Sequence, residues 1–248
     1  MVRLSVNVNK VATLRNARGG AVPDVLRAAE VCVAAGCHGI TVHPRPDARH
    51  IRYQDVLDLA AMLTVELNVE GYPSPELLDL VSRVRPAQCT LVPDPPDALT
   101  SNAGWPLDRD LGWLRAVVDR LHDRGVRVSL FVDPVPAHMP AARALGVDRV
   151  ELYTESYART FGTAEGAAIY QSFRATAVAA GEAGLGVNAG HDLDLVNLPF
   201  LARDLPGLLE VSIGHALVSD ALFLGLDVAV RAYLVALSRP SGVEASKK

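Results

Sequence analysis

Short runs rich in β-branched residues recur along the chain, each followed by a stretch whose apolar positions fall at helical spacing. The runs are 3–9 (RLSVNVN), 38–43 (HGITVH), 65–70 (VELNVE), 88–93 (QCTLVP), 126–132 (VRVSLFV), 148–153 (DRVELY), 185–189 (LGVNA) and 209–213 (LEVSI), which predicts eight strands. Between them Val25, Leu26, Ala29 and Val33 share one helical face, as do Leu77, Leu78, Val81 and Val84, with Ser74 and Pro75 placed to cap and open the second of these helices. A glycine stands just before four of the strands, at Gly36, Gly125, Gly146 and Gly184. There a helix end can turn through the left-handed conformation at little steric cost. Strand alternating with helix requires parallel strands joined by right-handed crossovers, and eight such units in 248 residues is the size at which the sheet closes on itself. The expected fold is α/β, a (β/α)8 TIM barrel with extra helices. An open doubly wound sheet is the rival, but no G-x-G-x-x-G turn follows the first strand, where Asn7-Val8-Asn9-Lys10 stands instead.

Composition narrows the picture. Half of the residues are hydrophobic and no linker-like tract divides the chain, so one domain is expected over 1–237, with 238–248 a loose tail of Pro, Gly, Ser and charge. A net charge of -4 and few aromatic side chains offer no track for a nucleic-acid backbone and little stacking surface. Cys32, Cys37 and Cys89 make an odd count without a C-x-x-C pair, which fits a reducing cytoplasm. The first ten residues alternate polar and apolar and read as a strand rather than a signal peptide, and no run approaches the length of a bilayer span, so neither nucleic acid nor membrane is expected as a partner.

In a parallel barrel the active site lies where the strands end, because the loops that follow them converge on one mouth. Reading each strand to its end gives Asn9 and Lys10, His43 and Arg45, Glu70, Pro93 and Asp94, Asp133, Glu151 and Thr154, His191, and finally Gly214 and His215. A single polar residue at a strand end is most often a cap. Four of seven histidines in strand-to-helix segments, His43, His50, His191 and His215, together with Glu70, weigh more, since imidazole and carboxyl groups at one rim suit repeated proton transfer. They also suit a metal, but no two of these histidines share a spacing that would place both on one element, so no metal is expected. Gly214 precedes a long apolar helical stretch and sits where barrels often bind phosphate on bare helix amides, although glycine is also an ordinary turn residue there. Asp192, after His191, would repel a phosphate unless it caps the next helix. Arg18 is either a surface charge or an anion clamp. Two connections, Asp94 to Pro106 and Thr154 to Gly162, are longer than a crossover needs, and the first is the candidate lid.

The segments VNVNKVATLRNARGG, HGITVHPRPDARHIR, ELNVEG, TLVPD with TSNAGW, RVSLFVDP, VELYTESYA, VNAGHDL and EVSIGHALVSDAL resemble, in order and spacing, the pyridoxine 5'-phosphate synthase family from Arg3 to about Leu237. The resemblance implies condensation of 3-amino-2-oxopropyl phosphate with 1-deoxy-D-xylulose 5-phosphate to pyridoxine 5'-phosphate, phosphate and water, with no metal or redox cofactor, in a homo-octamer built from dimers. It makes His43 and Glu70 proton acceptors, His191 a proton donor and Glu151 an assisting carboxylate. It places Asn7, Arg18, Asp192, Gly214 and His215 on the aminoketone phosphate, and Arg45, His50 and Thr100 on the deoxyxylulose phosphate. Asn9, Lys10 and Asp192 depart from the wording of many members, which have Asp-His after strand one and Gly after the strand-seven histidine; a branch of the family shares this wording, and Lys10 is expected still to attract phosphate. Two other functions compete: a Schiff-base aldolase or lyase using Lys10, the one lysine before the C-terminal pair, and a non-catalytic barrel that binds a phosphorylated metabolite.

Overall fold

The computed structural model describes residues 1–94 and 103–238. Eight parallel strands close into a barrel in sequence order, β1 (Arg3–Asn7), β2 (Gly39–Val42), β3 (Glu66–Gly71), β4 (Gln88–Leu91), β5 (Arg127–Val132), β6 (Arg149–Tyr153), β7 (Gly186–His191) and β8 (Leu208–Ile213), with β8 pairing back onto β1. The helices are α1 (Asn9–Asn16), α2 (Val25–Ala34), α3 (Tyr53–Met62), α4 (Pro75–Val84), α5 (Gly112–His122), α6 (Met139–Ala144), α7 (Glu155–Thr160), α8 (Ala164–Glu182), α9 (Leu198–Asp204), α10 (His215–Leu224) and α11 (Leu226–Ser238). All eight expected strands form, which settles the choice between barrel and open sheet. The expected tail, but for Ser238, lies outside the described residues, as does most of the candidate lid.

Local chemistry explains the boundaries. Ser74 caps α4 by accepting the Leu77 amide at 3.3 Å, with Pro75 at the first turn, and Asp24 caps α2 by accepting the amides of Leu26 and Arg27. Gly36, Gly125, Gly146 and Gly184 all take positive φ, between 73° and 103°, as the repeated helix-to-strand turn requires. Three expectations needed revision. The first strand stops at Asn7, because Val8 enters a helical turn and Asn9 begins α1. The stretch from Thr154 to Gly162 is not an irregular loop but holds α7. The apolar run after Gly214 is two helices, broken at Gly225 with φ 83°.

The apolar core lies between strands and helices. Leu4, Val6, Ile40, Val42, Val69, Leu91, Val128, Leu130, Val150 and Val211 alternate outward against buried residues such as Leu59, Val81, Leu114, Phe173 and Tyr233. The lumen, which many barrels fill with branched apolar side chains, is polar here. At its lower end Arg3 pairs with Glu66 at 2.9 Å, Arg127 reaches Glu66 at 2.6 Å and Gln88 at 2.9 Å, and Arg149 donates to Asn188 at 3.2 Å. Above these, Ser5 and Thr41 share a hydrogen bond of 2.6 Å and Thr90 donates to Asn68 at 3.1 Å. Buried polar groups cost free energy unless paired, and most of this ladder is paired.

Candidate active site

A cavity of about 500 Å³ opens at the C-terminal ends of the strands, within the size range of small-ligand sites. Asn7, Asn9, Lys10, His43, Arg45, His50, Glu70, His191, Asp192, Gly214 and His215 all line it. His43, Glu70 and His191, which come from β2, β3 and β7 and are far apart along the chain, therefore share one space.

His43 is buried, and its backbone amide donates to Asn9 Oδ1 at 3.0 Å. Burial pushes its pKa well down, with Arg45, His50, His191 and Arg49 adding to the effect, so the imidazole is neutral at pH 7 and free to take a proton. Glu70 is also buried; Asn7 Nδ2 donates to its Oε2 at 3.4 Å. Loss of hydration pushes its carboxyl up to about 8, against the pull of a Ser212 hydrogen bond and with a further push from Asp94. Glu151 lies deeper, inside β6, and is not among the cavity-lining residues. Burial first, then the neighbouring carboxyls of Glu70 and Glu210, raise its pKa well above the ordinary value. Its Oε1 stands 3.9 Å from His191 Nδ1, too far for a hydrogen bond, and neither atom has a hydrogen-bond partner among the described residues. Gly190 makes room for this carboxyl, since a Cβ there would lie 2.5 Å from Glu151 Oε1.

His191 ends β7 at φ 89°, a left-handed conformation that a non-glycine residue adopts at a cost of about 1–3 kcal/mol. Such strain collects where a side chain must be aimed. The ring packs against Phe131 and Tyr153 at centroid distances of 4.8 and 5.7 Å, and burial lowers its pKa despite Asp192 and Asp94. Arg45 is buried against Asp94 at 3.5 Å. His50 Nδ1 accepts the Ile51 amide at 3.0 Å, so the neutral ring carries its proton on Nε2. Its pKa is lowered to about 4, chiefly by burial and then by Arg45 and Arg49, which keeps it an uncharged donor at neutral pH.

Two strands round the barrel from β2, after β8, α10 begins at His215 with Gly214 as its cap residue and no side-chain cap. A Cβ at Gly214 would lie 3.1 Å from Asn7 Cβ and from the Asn7 carbonyl, so only glycine lets this turn sit so close to β1. Gly214 and His215 line the cavity at this helix start, and first-turn amides with the helix dipole behind them suit an anion. Asp192 is exposed on the cavity wall and does not cap the following helix, α9, which has no side-chain cap; it is Asp194 whose carboxylate closes the turn ahead of that helix, accepting the amides of Val196 and Asn197. Arg18 is not among the cavity-lining residues: α1 runs eight residues, about 12 Å, and leaves Arg18 exposed in the turn beyond its end. Thr100 lies outside the described residues.

The cavity also takes Thr13, Arg49, Tyr153, Glu155 and Ser212, which the sequence reading passed over. Tyr153 and Ser212 were findable, since each lies an even number of positions along its strand from a residue that faces the lumen. Arg49 and Glu155 carried no such signal.

Comparison with known proteins gives one answer. The family profile described as "Pyridoxal phosphate biosynthesis protein PdxJ" matches residues 4–239. A pyridoxine 5'-phosphate synthase of Cytophaga hutchinsonii is 52% identical over 239 residues, covering 96% of this chain and 100% of that protein. One of Porphyromonas gingivalis is 54% identical over 233 residues, covering 94% and 98%. Among solved structures, tryptophan synthase of Mycobacterium tuberculosis aligns with a TM-score of 0.65 at 15% identity, covering 96% of this chain and 93% of that one, a likeness of fold alone.

Proposed function

The chain belongs to the family of pyridoxal phosphate biosynthesis protein PdxJ, and from that premise we propose how its cavity closes the pyridine ring of vitamin B6. The substrates are 3-amino-2-oxopropyl phosphate and 1-deoxy-D-xylulose 5-phosphate, and the products are pyridoxine 5'-phosphate, phosphate and water. The observation that carries the reading is the gathering of His43, Glu70 and His191 round one cavity that also holds two separate sets of anion donors. Arg45 and His50 form one set and take the deoxyxylulose phosphate; the amides at the start of α10, with Gly214 and His215, form the other and take the aminoketone phosphate. Two anchored phosphates hold amine and ketone together, which removes most of the entropic cost of their meeting.

The reaction then needs protons moved several times at one bound intermediate. His43, neutral and desolvated, accepts the first. Glu70, with a pKa near the working pH, both gives and takes protons at little cost. His191 donates to the departing oxygen, and the protonated Glu151 behind it restores or steadies its proton after a small closing movement across 3.9 Å. Asn7 and Asn9 orient Glu70 and His43. Asn9 and Lys10 keep a binding rather than a proton-transfer role, and Lys10 adds a cation at the rim. Asp192 sits beside the aminoketone end, where it meets the substrate's amino group better than its phosphate. Arg18 and Thr100 are assigned to the aminoketone phosphate and the deoxyxylulose phosphate by their match to the family's pattern alone, Arg18 lying exposed outside the cavity lining and Thr100 outside the described residues.

The Schiff-base alternative asks for a desolvated lysine, and Lys10 is exposed. A binding protein without catalysis has no use for a strained His191 or a buried unpaired Glu151. We place the enzyme in the cytoplasm; no helix among the described residues is long and apolar enough to cross a membrane. Self-association, as in the octamer built from dimers that the family resemblance implies, is supported by apolar side chains left exposed on the last two helices, with Phe223 89% and Leu222 70% exposed. The deciding experiment incubates pure protein with both substrates and follows pyridoxine 5'-phosphate by absorbance and mass, alongside His191→Asn. Turnover by the parent that falls at least about a hundredfold in the folded variant is expected; a parent that makes no product would remove the proposal.

A further inference from the structure

The segment from 43 to 52 joins β2 to α3 without regular secondary structure, yet it supplies His43, Arg45, Arg49 and His50 to the cavity. A loop carrying this much of a site has to be held from outside. Two helices hold it. Arg15, buried on α1, places Nη1 and Nη2 on the two carboxylate oxygens of Asp55 on α3 at 2.7 and 2.9 Å, and Nη2 also donates to the His50 carbonyl at 3.1 Å. Asn16 Nδ2 donates to the same carbonyl at 2.8 Å and to the Ala48 carbonyl at 3.0 Å, beside the left-handed turn at Ala48 with φ 51°. Asp55 Oδ2 accepts the Arg52 amide at 2.7 Å. The loop is thus pinned at 48, 50 and 52 from its outer side. At its other end the same α1 grips it through Asn9, which takes the His43 amide. None of Arg15, Asn16 and Asp55 lines the cavity.

A buried ion pair is weak evidence for stability, because desolvation offsets most of the attraction; fixing a geometry is the better account of one. Beyond the pair, Arg15 donates to the backbone of the loop residue whose ring meets the cavity and, through Nε, to the Asn16 side chain that holds the same carbonyl. We propose that Arg15, Asn16 and Asp55 are positioning residues that lock the 43–52 loop against α1 and α3 and so set affinity for the phosphate held by Arg45 and His50, without touching substrate. The proposal rests on the assignment of that rim to the deoxyxylulose phosphate.

Asn16→Ala removes two loop hydrogen bonds, and with them those that its Oδ1 accepts from Arg15 Nε and Arg52 Nη2, but leaves the Arg15–Asp55 ion pair in place, so it folds where a change at Arg15 or Asp55 could fail to. Arg15→Lys keeps the charge but cannot fork between Asp55 and His50. For Asn16→Ala the KM for 1-deoxy-D-xylulose 5-phosphate rises about three- to tenfold, as one or two net hydrogen bonds would give, while the KM for the aminoketone phosphate stays within about twofold. Placed on a His50→Ala background, Asn16→Ala adds no more than about twofold, since its effect runs through His50. Equal rises in both KM values, an unchanged KM for the ketose, or full additivity with His50→Ala would each overturn the clamp. Should the parent enzyme make no pyridoxine 5'-phosphate, the functional reading falls by itself, and calorimetric titration with inorganic phosphate still decides the clamp: weaker binding to Asn16→Ala than to the parent sustains it, and equal binding refutes it.

Discussion

Replacing Glu70 by glutamine removes a buried acid while keeping its shape and its reach to Asn7 and Ser212. The carboxyl is 4% exposed and titrates near 8 in the native protein against about 4.5 when hydrated. Between those values the native state binds more protons than the unfolded chain, so stability is fully kept below about 4.5 and is lost as pH rises through about 8. At about 1.36 kcal/mol per pH unit the interval sets a ceiling of about 5 kcal/mol for the cost of ionising this one group in place. Glu151 lies close and is raised as well, so the two carboxyls share the first negative charge and each accounts for part of the loss. Urea unfolding of parent and Glu70→Gln at pH 5 and at pH 9 measures it. The variant should gain about 2–4 kcal/mol on the parent between the two conditions, with turnover abolished at both. A stability difference that is the same at pH 5 and pH 9 to within about 0.5 kcal/mol would refute the claim that this carboxyl is held uncharged by burial.

Three further outcomes follow from close contacts and exposure. Gly190→Ala drives a Cβ to 2.5 Å from Glu151 Oε1 and 3.0 Å from the Ser212 carbonyl, and should cost about 1–3 kcal/mol in thermal unfolding together with most of kcat, because Glu151 has to leave its place behind His191. Gly104→Ala is harsher: its Cβ would meet the Asp133 amide nitrogen at 2.2 Å, unseating Trp105, whose ring nitrogen donates to the Leu91 carbonyl at 2.9 Å, and quenching or red-shift of tryptophan emission with loss of stability should mark it. Lys10→Arg should retain appreciable activity, and borohydride with substrate should leave Lys10 unmodified, since Lys10 supplies charge at the rim and forms no covalent intermediate; a dead variant with a trapped adduct would restore the Schiff-base reading.

The barrel was legible because its punctuation is periodic. Each strand announces itself by β-branched residues, and four of them by a glycine that takes positive φ just ahead of the strand. The rim was legible for the same reason: in a parallel barrel a residue's place at a strand end fixes its place in space, which is why Glu70, His43 and His191 could be placed at one rim before any coordinates existed. Interior parity was equally available and went unread. Arg3, Ser5 and Asn7, Glu66, Asn68 and Glu70, Arg149, Glu151 and Tyr153 alternate as strictly as any apolar stripe, and they foretold a polar lumen. What the chain does not encode locally is distance across connections. The exposure of Arg18 depends on the length and direction of α1, and the choice between Asp192 and Asp194 as the turn's acceptor depends on which carboxylate the backbone meets first.

The same parity explains how the protein tolerates its site. In the lower lumen each acid has a base nearby: Glu66 lies between Arg3 and Arg127, which hold its carboxyl below the usual range, and Glu210 lies near Arg3 and Arg149, which counter the upward push of its burial without cancelling it. In the upper lumen the bases give out. Glu70 and Glu151 are buried with no ion pair to a guanidinium among the described residues, and both are pushed toward the neutral form, which is what the proposed proton transfers call for. The stability this costs is offset outside the barrel, by the apolar layer between strands and helices, and beneath the cavity, by the paired ladder. Moving one arginine up a rung, for example by Ser212→Arg, would quiet Glu70 electrostatically and should lower its pKa toward the usual carboxylate range while removing the proton exchange the chemistry needs. Carboxyls kept neutral by burial near the mouth of this barrel are therefore what the proposed proton transfers rest on, and the polar strand interior below is what lets them lie so deep.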